Sequence, residues 1–279
     1  MRLPCLKEGG RPAEQSDRVE IPLLDVRSVS LRFDGVQALD SVTFSIPERA
    51  RCGLIGPNGA GKTTLFNCIS RLFEIQSGDI RFAGRDIGRM APHAVHALGV
   101  ARTFQSVGLI PGMTVLENVM TGAGRDGRHG FFRSAITLAE LSELDANVRR
   151  RAYETLERID LGDAAHLTPP ELPFGTQKRV ELARALISDP RLLMLDEPAN
   201  GLTATEVNGL RDLLLRIWRE SETTLLIVEH HMGFVMSICE DIIVLDAGRL
   251  LARGAPDQIR NNPDVVQAYL GRRAKDGAP

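Results

Sequence analysis

A chain of 279 residues, 43% of them hydrophobic, is long enough for one large α/β domain with a substantial core. Its 34 basic and 36 acidic residues leave a net charge of −2, which excludes a summed positive field that would draw it onto nucleic acid or an anionic bilayer. The longest apolar runs, such as Leu225 to Val228 and Ile242 to Leu245, fall far short of the ~20 apolar residues that cross a bilayer as a helix.

The opening segment, 1–22, carries Pro4, Pro12 and the pair Gly9-Gly10 among mixed charges and lacks the apolar core of a secretory signal, so it reads as a flexible tail. Cys5, Cys52, Cys68 and Cys239 lie far apart with no C-x-x-C pair, which points to reduced thiols rather than a metal site or disulfide. Val29, Leu31 and Phe33 alternate with polar residues, as do Val42, Phe44 and Ile46, and this two-residue period predicts an antiparallel β layer. Arg51 to Ile55 is a buried strand that enters a Gly-rich turn, and a helix follows over Lys62 to Arg71. Farther on, Leu141, Leu144, Val148, Leu156 and Ile159 recur at helical steps among charges, predicting an amphipathic helix behind a Gly-rich connector at 121–134. After Pro173, helices alternate with short, wholly apolar strands at Leu192 to Leu195 and Leu225 to Val228, the pattern of a parallel sheet covered on both faces. Asp246-Ala247-Gly248 links two last strands, and Pro256 to Leu270 forms a short helical cap.

Two motifs carry chemistry. Gly56-Pro57-Asn58-Gly59-Ala60-Gly61-Lys62-Thr63, continued by Thr64, fits the phosphate-loop pattern and lies between a strand and a helix, where the mechanism needs it. Glycines let backbone N–H groups turn toward the phosphates of a nucleoside triphosphate, Lys62 adds a point charge, and Thr63 is a ligand for Mg²⁺. The apolar strand Leu192 to Leu195 then delivers Asp196 and Glu197 at its carboxyl end, where open α/β sheets bind ligands. Asp196 suits Mg²⁺, held through water, and Glu197 suits a general base toward the water that attacks the γ-phosphate. The two motifs define an NTPase of phosphate-loop fold, in which ATP is the expected nucleotide.

Further motifs in the same order make the chain resemble, over about residues 23 to 270, the ATP-binding subunits of ABC transporters. Leu172-Pro173-Phe174-Gly175-Thr176-Gln177, followed by KRVELARAL, resembles the family's signature segment, which reaches across a dimer to the partner's nucleotide. The resemblance implies a single domain over 23–270, with an antiparallel β layer, a helical subdomain inserted at about 106–175 and a tail at 271–279. It also implies roles for Gln105 in ARTFQ, which senses Mg²⁺ and water and couples them to the membrane subunit, for His230 in LLIVEHH, which contacts the γ-phosphate, for Lys62 in catalysis, and for Phe33, which stacks on adenine. Pro198 to Thr203 would form the loop that meets the opposite subunit.

Within the family, ARTFQ, MTVLENVM, LDEPANGL and RGAPDQIRNNPDVVQAYLG resemble the branched-chain amino acid uptake group. The implied partners are two transmembrane permease subunits, a sister ATPase or a second copy of this chain, and an extracytoplasmic solute-binding protein acting through the complex. The implied place is the cytoplasmic face of the cell membrane. A nucleotide switch with little turnover and a non-transport ABC ATPase are the competing readings. Departures at three sites accompany the match. Pro173, Phe174 and Thr176 stand where the family's signature commonly has Ser, Gly and Gln, His231 where the family has Asp, and Thr203 where it has Asp or Asn. The missing serine hydroxyl predicts two unequal ATP sites when the chain pairs with a sister subunit.

Overall fold

A computed structural model describes residues 21–103, 108–124 and 138–276, with side chains described from 144 to 269 in the last of these stretches. The first elements among the described residues are β1 (Leu24–Phe33) and β2 (Val36–Ile46), which pair antiparallel, followed by the short β3 (Arg51–Ile55) and α1 (Lys62–Ile69). Then come β4 (Ser77–Phe82), β5 (Arg85–Asp86), α2 (Pro92–Ala97) and β6 (Val100–Arg102). Three helices follow, α3 (Val115–Met120), α4 (Leu138–Arg158) and α5 (Phe174–Leu186). The rest of the domain runs β7 (Leu192–Asp196), α6 (Ala204–Glu220), β8 (Thr224–Val228), α7 (Met232–Ile238), β9 (Asp241–Asp246), β10 (Arg249–Gly254), α8 (Pro256–Arg260) and α9 (Pro263–Asp276).

Two sheets result. The first is antiparallel, in the order β2-β1-β4-β5, and the second runs β10-β9-β3-β8-β7-β6, parallel except for the hairpin strand β10. The wholly apolar strands are buried on both faces. Leu193, Leu195, Leu225, Ile227, Ile242 and Val244 join one core with the helices, while Leu192, Met194, Leu226, Val228, Ile243 and Leu245 join a second core with α1 and the antiparallel sheet. This two-sided burial is why these segments read as continuous hydrophobic runs rather than alternating ones.

The antiparallel layer follows its predicted alternation up to a point. Register shifts fall between Val26 and Val29 and again near Leu31 and Arg32, and Ser28 takes a left-handed backbone at φ 47°. Bulges of this kind rotate the following side chains. Phe33, which alternation would bury, is 42% exposed and rests edge-on against Phe73 with ring centroids 5.3 Å apart.

The helical insertion is present. Val115, Val119, Ala152, Leu156 and Ile159 share its core with α5, whereas Leu144, predicted on the apolar face, is exposed. Asn118, fully buried, donates to the carbonyls of Ile110, Met113 and Thr114 and accepts from the Ile110 N–H, tying α3 to the loop before it. α1 ends at Ile69, two residues before the predicted Arg71, because Ser70 turns its hydroxyl back to the Phe66 carbonyl and Arg71 is left-handed at φ 61°. The last helix runs on to Asp276, past the expected domain end at 270. The tail at 1–20 and most of the connector at 121–134 lie outside the described residues.

Candidate functional site: a phosphate loop at the carboxyl edge of the parallel sheet

β3 is flanked by β8 and β9, and β7 lies beyond β8, so the loops leaving the carboxyl ends of β3, β7 and β8 emerge side by side. The loop from β3 is the Gly56–Thr63 segment. A Cβ on Gly56, at φ 151°, would sit 2.1 Å from the Leu245 carbonyl oxygen, and one on Gly61, at φ 99°, would sit 2.6 Å from the Ala38 carbonyl oxygen. No other residue fits either place. The turn Asp246-Ala247-Gly248 does more than join strands, since the Gly248 N–H donates to the Ala60 carbonyl and the Gly248 carbonyl accepts from the Asp40 N–H. The loop is thus a rigid cradle opening on the N-terminus of α1. Buried Lys62 reaches across it, its ammonium 2.7 Å from the Gly56 carbonyl and 3.1 Å from that of Pro57. These donors are the ones a triphosphate would take over.

Asp196 ends β7 nearly fully buried, at 3% exposure, and pairs with Arg102, at 9%, across 2.8 Å. The Arg102 guanidinium also donates to Asn67 (2.6 Å) and Ser70 (3.0 Å) on and just after α1. One cation therefore joins β6, β7 and the helix that follows the phosphate loop. Thr63 and Asp196 offer hard hydroxyl and carboxylate oxygens, a donor set that fits Mg²⁺.

Glu197 has a left-handed backbone, φ 47°. Its N–H donates to Val228 (2.9 Å), and its carbonyl accepts from the Lys178 ammonium (3.2 Å). Its carboxylate lies 3.7 Å from the His230 Nδ1, so the two predicted catalytic groups do converge. Burial lowers the Lys178 pKa from the usual lysine value, and the carboxylates of Glu181, Glu229, Glu197 and Asp196 oppose that shift.

The signature residues Pro173 to Gln177 form the N-terminus of α5 and touch the loop after β7. Phe174 packs on Gly201, where an added Cβ would come within 2.8 Å of the ring, and Gly175 lies against the Glu206 carboxylate. Glu206 belongs to a capping box with Thr203: the Thr203 N–H donates to it across 2.8 Å, and this holds its pKa below the ordinary carboxylate range. Thr203 thus caps α6. His231 likewise has a local role, accepting from the Phe234 N–H at the start of α7. Gln105 lies outside the described residues.

Sequence reasoning missed Arg102, Lys178 and Glu229. Glu229 is fully buried, and its carboxylate accepts the N–H groups of Ala199 (2.8 Å), His230 (3.0 Å) and His231 (3.1 Å). Its signal was available, because like Asp196 it is an acid at the end of an all-apolar strand. Arg102 and Lys178 look like ordinary charges in a polar stretch, and only tertiary packing buries them.

Known proteins share both the sequence and the fold. The sequence profile described as ABC transporter matches residues 39–200, and that described as Branched-chain amino acid ATP-binding cassette transporter matches 249–275. The chain is 38% identical over 250 residues to the high-affinity branched-chain amino acid transport ATP-binding protein BraF of Pseudomonas aeruginosa, covering 90% of this chain and 98% of that one. Identity and coverage are the same with LivG of Escherichia coli K12, a protein of the same description. Among solved structures, a nucleotide-free ATP-binding cassette from an ABC transporter aligns with TM-score 0.77 at 28% identity, covering 89% of this chain and 99% of that one. A dimeric cassette in a post-hydrolysis state bound to ADP and phosphate aligns with TM-score 0.69 at 25% identity, covering 84% and 98%. With the phosphate loop, the paired acids and the histidine assembled on one sheet edge, this chain belongs to the ABC transporter family and is one of its ATPases.

Proposed function

We propose that this chain hydrolyses MgATP to drive uptake of branched-chain amino acids or related small polar solutes through two partner permease subunits. The observation that carries the hydrolytic part is the meeting of Glu197 and His230, 3.7 Å apart, on the sheet edge that bears the phosphate loop. The triphosphate lies along the Gly56–Thr64 backbone with Lys62 turned onto it, and Phe33, exposed at the end of β1, stacks on the adenine. Asp196 and Thr63 would hold Mg²⁺, which would supply charge neutralisation on the phosphate oxygens. Glu197 accepts the proton of the attacking water while His230 stays beside the γ-phosphate. A nucleotide switch with little turnover would need neither group so placed.

The solute class rests on the kinship over 90% of the chain with branched-chain amino acid proteins. No helix among the described residues is long and apolar enough to cross a membrane, so passage of the solute falls to the permeases, with this chain docked on their cytoplasmic side. A groove of roughly 1310 Å³, lined by Leu72, Met90, Pro92, Arg102 and Arg184 among others, is the docking surface that suits them. Arg102 and Gly108, on its lining, flank Gln105 in the sequence. The chain pairs across the signature segment with a sister ATPase or a second copy, and a solute-binding protein delivers cargo from the far side. The test is ATP hydrolysis and leucine uptake by the reconstituted complex, wild type against Glu197→Gln. The variant is expected to bind ATP but lose nearly all turnover and uptake. Unchanged turnover, or hydrolysis unaffected by permeases and branched-chain amino acids, would overturn the reading.

A further inference from the structure

The departure at Phe174 from the family's signature has a structural correlate inside the same subunit. Phe174 lies over the Lys178 side chain, with the ammonium 5.7 Å from the ring centroid, and its outer edge packs on Gly201 in the loop after Glu197. Beneath the ring, Lys178 is only 8% exposed. A buried ammonium is expected to seek a carboxylate. Four acids surround this one, yet among the described residues it forms no ion pair within 4.0 Å, and its hydrogen bond goes to the main-chain carbonyl of Glu197. That carbonyl belongs to a residue with a left-handed backbone, which a side chain other than glycine adopts only when its surroundings enforce it. The enforcement is visible at both ends of the residue, with the N–H held by Val228 and the carbonyl by Lys178.

We propose that Lys178 is a positioning residue for Glu197: covered by Phe174, its ammonium clamps the Glu197 carbonyl and thereby fixes where the catalytic carboxylate points. The proposal rests on the reading of Glu197 as the group that accepts the water proton. Lys178 itself touches neither nucleotide nor water in this scheme, so its loss acts on the chemical step and leaves ATP binding alone. The segment that faces the partner's nucleotide in the family thus also holds its own subunit's catalytic acid, and Phe174 supplies the apolar cover a smaller residue would not.

The experiment measures kcat and KM for ATP, with ADP binding, in the full transporter complex carrying Lys178→Met, Lys178→Arg or Phe174→Leu. Lys178→Met is expected to lower kcat by about ten- to a hundredfold, as misplacement of a catalytic group does, with KM and ADP affinity within about twofold of wild type. Lys178→Arg keeps the charge and the donors and recovers most of the loss. Phe174→Leu opens the ammonium to water and lowers kcat by a few-fold, which serves as the readout if Lys178→Met does not fold. A folded Lys178→Met with wild-type kcat overturns the proposal. So does a kcat loss matched by an equal loss of ADP affinity, an arginine variant no better than methionine, or, where methionine does not fold, a wild-type kcat in Phe174→Leu. Glu197→Gln run in parallel separates the two ideas. Full activity in that variant refutes the role of Glu197, whereas its inactivity beside an active Lys178→Met refutes only the role of Lys178.

Discussion

Replacing Arg102 with methionine keeps the length of the side chain and removes the cation that faces Asp196. The carboxylate stays at 3% exposure with its partner at 2.8 Å gone, and Asn67 and Ser70 lose their shared donor. Breaking a buried pair from one side costs about 3–5 kcal/mol, because the remaining charge is neither hydrated nor paired. In a domain of this size each kcal/mol shifts the melting temperature by about 2–4 °C, so the apo protein is expected to melt about 6–20 °C lower. On the proposed reading, Mg²⁺ bound with ATP would place positive charge on the same carboxylate, so saturating MgATP should restore more of the melting temperature in the variant than it adds to wild type. Differential scanning fluorimetry with and without MgATP reads both effects. A drop of less than about 2 °C in the apo protein would show that Asp196 does not depend on Arg102, and an equal MgATP gain in both proteins would separate the pair from the metal site.

Two further outcomes can be checked directly. Gly56→Ala places a Cβ 2.1 Å from the Leu245 carbonyl, a clash with main chain that no rotamer relieves, so equilibrium titration with a fluorescent ATP analogue should show binding lost. Full affinity would mean the loop has more freedom than its packing indicates. Burial pushes the Cys68 thiol up to about 11 and those of Cys52 and Cys239 up as well, so these three thiols should resist alkylation at pH 8 in native protein and react in unfolded protein. The sign for stability follows: a thiol raised in the folded state favours folding below its unfolded pKa of about 8.5. For Cys68 that contribution is then lost as pH rises toward about 11. Denaturation midpoints that stay flat across that window would refute the burial argument.

The parts of the fold that were legible in sequence are those governed by local rules. Five-residue apolar strands, a Gly-rich loop between strand and helix, and an acid pair at a strand end each depend on neighbours in the chain, and β3, the phosphate loop, β7 and β8 stand where those rules put them. The acid and histidine of the candidate site were legible for the same reason, together with motif order. What escaped depends on distant contacts. Phe33 leaves the predicted alternation because β1 is bulged against β2, and Leu144 is exposed although it falls on the predicted apolar stripe. Lys178 and Arg102 sit in polar stretches whose burial arises only when α5, β6 and β7 close together.

The three N–H groups held by Glu229 belong to two different loops, one carrying Glu197 and the other His230. Neither loop can shift its backbone at these points without loosening the carboxylate that anchors the other. The acid and the histidine are therefore geared to a common axle, and a strain arriving at either one is delivered to both.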